Sequence, residues 1–160
     1  MGQIQGKMSE ELAVVAGLCT TNNPFGPLVG TEQYTDYVDM QKFDQVMFIA
    51  TIGNASDHLF SLRVYESILG GGTDNATALV LWGGATGCLT TIAHSATVND
   101  NTEYVCSVRR DALSEGYRYV RAGIVSETSQ TGYVGLIGVA MCPMYCPASD
   151  NDLSTVAIAQ

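Results

Sequence analysis

Few residues in this chain are of types that do chemistry, and their spacing joins none of them into a site. Two histidines occur, His58 and His94. The first falls in a polar stretch and the second in a Ser/Thr-rich one, each alone. A Ser–His–Asp site needs nucleophile, base and carboxylate brought together by the fold. Ser95 beside His94 is adjacency only, and the G-x-S-x-G elbow is absent. Cys142-Pro143-Met144-Tyr145-Cys146 has the C-x₃-C spacing of half a zinc site, but no second close pair of Cys or His completes it. Plain thiols, a disulfide formed after release from the cell, and a metal half-site all stand open for this pair. Cys19, Cys88 and Cys106 are isolated and read as small buried hydrophobes. Asp36 with Asp39, and Asp100 with Glu103, are close enough to suggest acid–base pairs. Both sit at strand edges and turns, where carboxylates are ordinarily solvated. Gly70-Gly71-Gly72 lacks the following Lys of a phosphate-cradling loop. Trp82, the one tryptophan, reads as core or interface. Asn54-Ala55-Ser56 and Asn75-Ala76-Thr77 match glycosylation sequons, but residues 1–18 carry no secretory pattern that would give them meaning. No catalytic, cofactor-binding or metal residue is therefore assigned, no cofactor is expected, and the chain is not read as an enzyme.

Composition narrows the partners. At 160 residues one domain with a sizeable core is expected. Hydrophobic residues make up 46% and charged residues 14%, against roughly 25% charged in ordinary soluble domains. Such a chain either hides much of its surface against partners or has few exposed faces. Seven basic and sixteen acidic residues leave a net charge of −9. The densest basic stretch is only Arg109, Arg110, Arg118 and Arg121. Nucleic acids and anionic membranes need clustered Lys and Arg, so neither is expected as a partner. The odd count of five cysteines does not suggest a disulfide framework. Synthesis in a cytoplasm with reduced thiols is the default.

The elements that must position these residues are strands. In Phe43–Ile68, Val46, Phe48, Ala50 and Ile52 alternate with Met47, Ile49 and Thr51. Phe60, Leu62, Val64 and Ile68 then alternate with Ser61, Arg63, Tyr65 and Ser67. Period two marks strands with one buried face, and the polar 53–57 stretch between them predicts a hairpin. Before it, residues 1–42 read as an N-terminal arm with a lead-in strand over 35–41. Leu12–Leu18 is either a short helix after a Ser9 cap or an extended segment, wrapped over its own domain or reaching a neighbour. After it come strands over 77–82, 88–97, 103–110, 117–125 and 133–141, with a helical turn over 111–116. On Tyr117–Val125, Val120, Ala122 and Ile124 form the apolar face. Tyr133–Met141 is apolar on both sides and is expected to be central. The organisation is thus arm 1–42, core 43–147 and tail 148–160. The fold class is all-β, an antiparallel, jelly-roll-like sandwich of roughly seven to eight strands.

TDYVDMQKFDQVMFIATIG, LRVYES, the Gly-rich loop, EYVCSVRRDALSEGYRYVRAGI and YVGLIGVAMC, taken together over residues 34–142, resemble the β-sandwich decoration, or cement, proteins on the heads of tailed bacteriophages. The resemblance implies a structural virion protein that binds the outside of a capsid and stabilises it by bridging capsid subunits. Its implied partners are the major capsid protein and other copies of itself, as a homotrimer. The implied location is the capsid surface of the virion, after synthesis in the host cytoplasm. It carries over no site residues. Two other expectations stand beside it. One is a different virion part, a head–tail connector or tail protein. The other is a sandwich that binds host-surface carbohydrate, which needs an exposed platform from Trp82, Tyr117, Tyr119 or Tyr133.

Overall fold

A computed structural model of the chain describes residues 12–19, 32–55, 58–71, 77–78, 89–94, 102–126 and 132–143. Within them the protein is all-β. The strands are β1 (Leu12–Cys19), β2 (Gln33–Tyr34), β3 (Val38–Asp39), β4 (Phe43–Ala55), β5 (His58–Ser67), β6 (Thr77–Ala78), β7 (Leu89–His94), β8 (Thr102–Arg109), β9 (Tyr119–Ser126) and β10 (Gly132–Pro143). A single 3₁₀ turn, Arg110–Ala112, stands in place of the helical turn expected over 111–116, and no side chain caps it.

The strands form two antiparallel sheets. The first runs β1-β10-β4-β8; the second runs β2-β9-β5-β6, with β3 also on β9 and β7 also on β5. The pairings are nested. β1 pairs with β10, β2 and β3 with β9, β4 with β8, and β5 with β6 and β7. Two further pairings, β10 with β4 and β9 with β5, join these into sheets.

This order corrects the expected hairpin at Phe43–Ile68. β4 and β5 are consecutive but lie in different sheets, and the chain crosses from one to the other after Ala55. The physical reason is that β4 has no edge to offer, since β10 occupies one side and β8 the other. Alternation reveals which face of a strand is buried, not which strand lies beside it.

The inward faces of both sheets meet in one core. Val46, Phe48 and Ala50 of β4, Cys106 and Val108 of β8, and Leu136 and Ala140 of β10 come from the first sheet. Leu62 and Val64 of β5, with Val120, Ala122 and Ile124 of β9, come from the second. The alternation read from β4 and β9 therefore holds. β10, apolar on both sides, lies between β1 and β4 as expected. Phe48 is completely buried, and Gly138 opposite it makes room for the ring. A Cβ at Gly138 would sit 3.1 Å from Phe48 Cε1 and 3.1 Å from the Ala16 Cβ.

For the N-terminal segment the structure selects one of the expected alternatives, an extended segment lying on its own domain. Residues 12–19 form a strand and not the helix that was the other alternative. β1 pairs along β10 and buries Ala13, Val15 and Ala16, with an irregularity in register between Val14 and Ala16. The lead-in strand is broken into β2 and β3 by Thr35. This residue is buried and its hydroxyl accepts from the Ala122 N–H at 3.1 Å, while its own N–H donates to the Ala122 carbonyl at 2.9 Å. Side chain and backbone together keep β9 satisfied across the break. The tail over 148–160 lies outside the described residues.

Two positions, Glu66 of β5 and Ile68 just beyond it, depart from the expected pattern. Glu66 shares the parity of Leu62 and Val64 and is only 3% exposed. Its carboxylate accepts from the Ser114 N–H at 2.8 Å and from the Ser114 hydroxyl at 2.6 Å, so it is satisfied and anchors the loop after β8. Ile68, expected on the buried face, is 59% exposed because the strand ends at Ser67. There the Ser67 hydroxyl donates to the Leu69 carbonyl at 2.8 Å and bends the chain away.

Cys106 corrects the thiol reading. It is buried in the core and disulfide-bonded, and the side chains of the other four cysteines, Cys19, Cys88, Cys142 and Cys146, lie outside those described.

Two consequences are measurable by denaturant unfolding. Phe48→Ala should destabilise the domain by about 3–5 kcal/mol, through lost burial and the cavity left beside Gly138. Reducing the Cys106 disulfide should lower stability by about 2–4 kcal/mol. A midpoint unmoved by reductant would contradict a structural role for that bond.

Candidate functional site

The two sheets present outer faces of different chemistry. On the first sheet, parity turns Val14, Met47, Ile49, Val105, Ile137, Val139 and Met141 away from the core. Register sets Ile137 beside Ile49 and Ile49 beside Val105, making an apolar row across three strands. The next row joins Val14, Val139 and Met47 and ends on Ser107. Val105 is 53% exposed and Ile137 48% exposed, and the others are half-buried. Glu103 and Thr51 border this face at one end.

The other end is bordered by Gln45 and Arg109. There Asp44, Gln45, Arg109, Arg110 and Asp111 line an open pocket of about 400 Å³. Arg109 pairs with Asp111 at 2.9 Å and Arg110 with Asp44 at 3.0 Å, all of them well exposed. Ion pairs in this setting add little stability. They hold a balanced rim of charge around an apolar centre.

The outer face of the second sheet is aromatic and charged. The Glu32 carboxylate accepts from the Tyr65 hydroxyl, 2.9 and 2.8 Å from its two oxygens, and from the Tyr34 hydroxyl at 3.0 Å. Because β9 lies between β2 and β5, this carboxylate ties the two outer strands together across it. Gly123 of β9 permits the crossing: a Cβ there would collide with the Glu32 carboxylate and approach Tyr34 Cδ1 at 2.9 Å. The Arg121 guanidinium lies 4.0 Å from the Tyr34 ring centroid and 4.7 Å from that of Tyr37. Its Nε is shielded from solvent and has no hydrogen-bond partner among the described residues, so the aromatic faces are its main compensation. Arg118 lies over Tyr119 at 5.0 Å and donates from Nε to the Asp39 carboxylate at 2.8 Å, with a second bond from Nη2.

These contacts are structural struts. Glu32 accepts from two phenols and Asp39 from a guanidinium. Burial and then the Glu32 hydrogen bond raise the Tyr34 pKa to about 12; the same causes, in the same order, raise that of Tyr65. The Arg118 hydrogen bond holds Asp39 below the usual carboxylate range.

The residues considered from sequence are dispersed. The register places His58 directly opposite His94 in the β5–β7 pair, so the two histidines are cross-strand neighbours where the sequence suggested two solitary ones. Asp39 is committed to Arg118 instead of being solvated, and Asp36 is exposed. Glu103 is exposed on β8, while Asp100, Trp82, Gly72, Asn75 and Cys146 lie outside the described residues. Among those described, no three His, Cys, Asp or Glu residues converge. Tyr117 and Tyr119 are half-buried. The rings that do gather, Tyr34 with Tyr65 and Tyr37 with Tyr119, meet edge-on at 5.7 and 6.5 Å. Tyr119, Arg121 and Gly123 alternate with the apolar Val120, Ala122 and Ile124 along β9 and so share its other face. Nothing local signalled Glu32 or Tyr34, whose contacts span up to 33 residues of chain. The chain matches no protein-family model and no curated protein.

Because the folded state holds the Tyr34 proton more tightly than the unfolded chain does, this stabilisation is complete below about pH 10 and is lost as pH rises towards 12. Phenolate absorbance in an alkaline titration should show a late-ionising component from Tyr34 and Tyr65, and Tyr34→Phe should remove the Tyr34 share of it. Glu32→Gln should move the Tyr34 ionisation back towards the ordinary value. A late component of equal size in the wild type and Tyr34→Phe, with only the ordinary component reduced, would refute the strut.

Proposed function

We propose that this chain is a structural virion protein that binds the outside of a tailed-phage capsid and stabilises it by bridging capsid subunits, with copies associating as a homotrimer. The observation that carries the reading is the outer face of the first sheet, where Ile137, Ile49 and Val105 form a continuous apolar row facing solvent in the isolated chain. A regular sheet face of this kind marks a surface destined for contact.

Two further features support it. The nested pairings of β1 with β10, β2 and β3 with β9, β4 with β8, and β5 with β6 and β7 follow a long hairpin rolled into two sheets. Nesting of this kind supports reading the fold as a jelly roll, an architecture used by viral capsid domains and also by lectins and cupins. The charged fraction of 14% suits a subunit whose working environment is an assembly. Many weak copies attached to one shell would act together by multivalency. The carbohydrate-binding alternative draws less support, because the tyrosines of the second sheet meet edge-on and are covered by arginines instead of forming an open stacking platform.

The test is add-back of purified protein to shells that lack it. The wild-type chain should bind and raise the temperature at which the shells break. Ile137→Asp and Val105→Asp alter exposed positions and should leave the protein's own melting temperature nearly unchanged. Each should weaken shell binding by about tenfold or more, since burying either side chain contributes roughly 1 kcal/mol and a buried charge costs further. Wild-type protein that fails to bind, or aspartate variants that bind equally well, would defeat the proposal.

A further inference from the structure

The first sheet has two edges, and they are built differently. β1 carries an irregularity between Val14 and Ala16, the kind of feature that blunts an edge. β8 carries none. It pairs with β4 over eight consecutive residues, Gln45 with Arg109 through Ile52 with Thr102, without a shift of register. It contains no proline and no lysine, and β4 is its only strand partner among the described residues. Its outward side chains are Glu103, Val105, Ser107 and Arg109, all exposed. An eight-residue edge with an uncharged middle and opposite charges at its two ends is a template for another strand.

We infer that β8 pairs antiparallel with β8 of a second copy of this chain, about a two-fold axis at Cys106, extending the first sheet across both copies. The charge pattern selects both the partner and the register. With the axis at Cys106, Glu103 lies opposite Arg109 of the second copy, and by symmetry this happens twice. Val105 then lies opposite Ser107. Moving the axis to Val105 sets Glu103 against Ser107. Moving it to Ser107 sets Glu103 against Asp111 and Val105 against Arg109. Only the register centred on Cys106 neutralises both ends, and opposite charges directly across a strand pair are favourable whereas like charges are not. Arg109 reaches this position from a weak, exposed ion pair with Asp111 at 2.9 Å.

An axis perpendicular to the sheet keeps the Val105 face of both copies on the same side. Each Ile137–Ile49–Val105 row then meets Ser107 of the other copy, beyond which Met47 and Val139 follow on the same side. This self-pairing is independent of what the apolar face binds. A two-fold contact is isologous and cannot close a three-fold ring; in the arrangement proposed above it joins copies from neighbouring trimers.

Sedimentation equilibrium of the purified full chain over a wide concentration range tests the inference. The particle mass should double with concentration. Glu103→Arg and Arg109→Glu should each raise the dissociation constant of that step by about tenfold, and the double variant should return it to within about threefold of wild type. Thermal melting confirms that each variant is folded. Hydrogen exchange on the wild type gives a second reading, with the amides of β8 slowing as concentration rises. The inference is overturned if the mass never doubles, if doubling ignores the single reversals, if the double reversal fails to repair it, or if the protection appears away from β8.

Discussion

The structure depends on one constraint: strands that follow one another in the chain repeatedly face each other across the core instead of lying side by side. β4 and β5 show it most clearly. Both edges of β4 are taken by β10 and β8, so the chain must cross to the second sheet before β5 can find partners. The crossing brings Val46, Phe48 and Ala50 to the same buried cluster as Leu62 and Val64. Apolar burial across the two layers supplies the main drive. The ladder hydrogen bonds satisfy the backbone it encloses. Among the described residues three polar side chains are buried, Thr35, Glu66 and Ser67, and each is bonded to a backbone group.

Burying one face of each sheet leaves the two outer faces free to differ. The second sheet spends its outer face on itself: Glu32 ties β2 to β5 over Gly123, and Arg121 rests against Tyr34 and Tyr37. Such contacts hold short strands such as β2 and β3, whose two-residue ladders offer little cohesion. The first sheet, built from long strands with full ladders, needs no such bracing. Its outer face stays apolar and open, and the proposed attachment surface lies there.

How much of this was legible in the sequence follows from what alternation encodes. Period two correctly assigned the all-β class, the inward faces of β4 and β9, and the central position of β10. It was silent on neighbours, because a strand's pattern is the same whichever strand lies beside it; hence the expected hairpin that proved to be a crossing. Leu12–Cys19 was ambiguous because Ala13, Val15 and Ala16 break strict alternation at the β1 irregularity. Glu66 passed unnoticed because a carboxylate at an inward position is recognisable only once Ser114 is seen beside it. The outer apolar face was present in plain sight as Met47, Ile49, Val105 and Ile137, but four residues on three strands become one surface only through register. No local motif announces an assembly surface, unlike a metal or nucleophile site.

The most direct test of the account is cryo-electron microscopy of phage-type shells incubated with the purified protein, at a resolution that orients its two sheets. The account predicts density on the outside of the capsid, with the Ile137–Ile49–Val105 face turned against capsid subunits and one copy touching more than one of them. Density confined to the tail or connector, or a capsid-bound copy whose first sheet faces solvent, would contradict it.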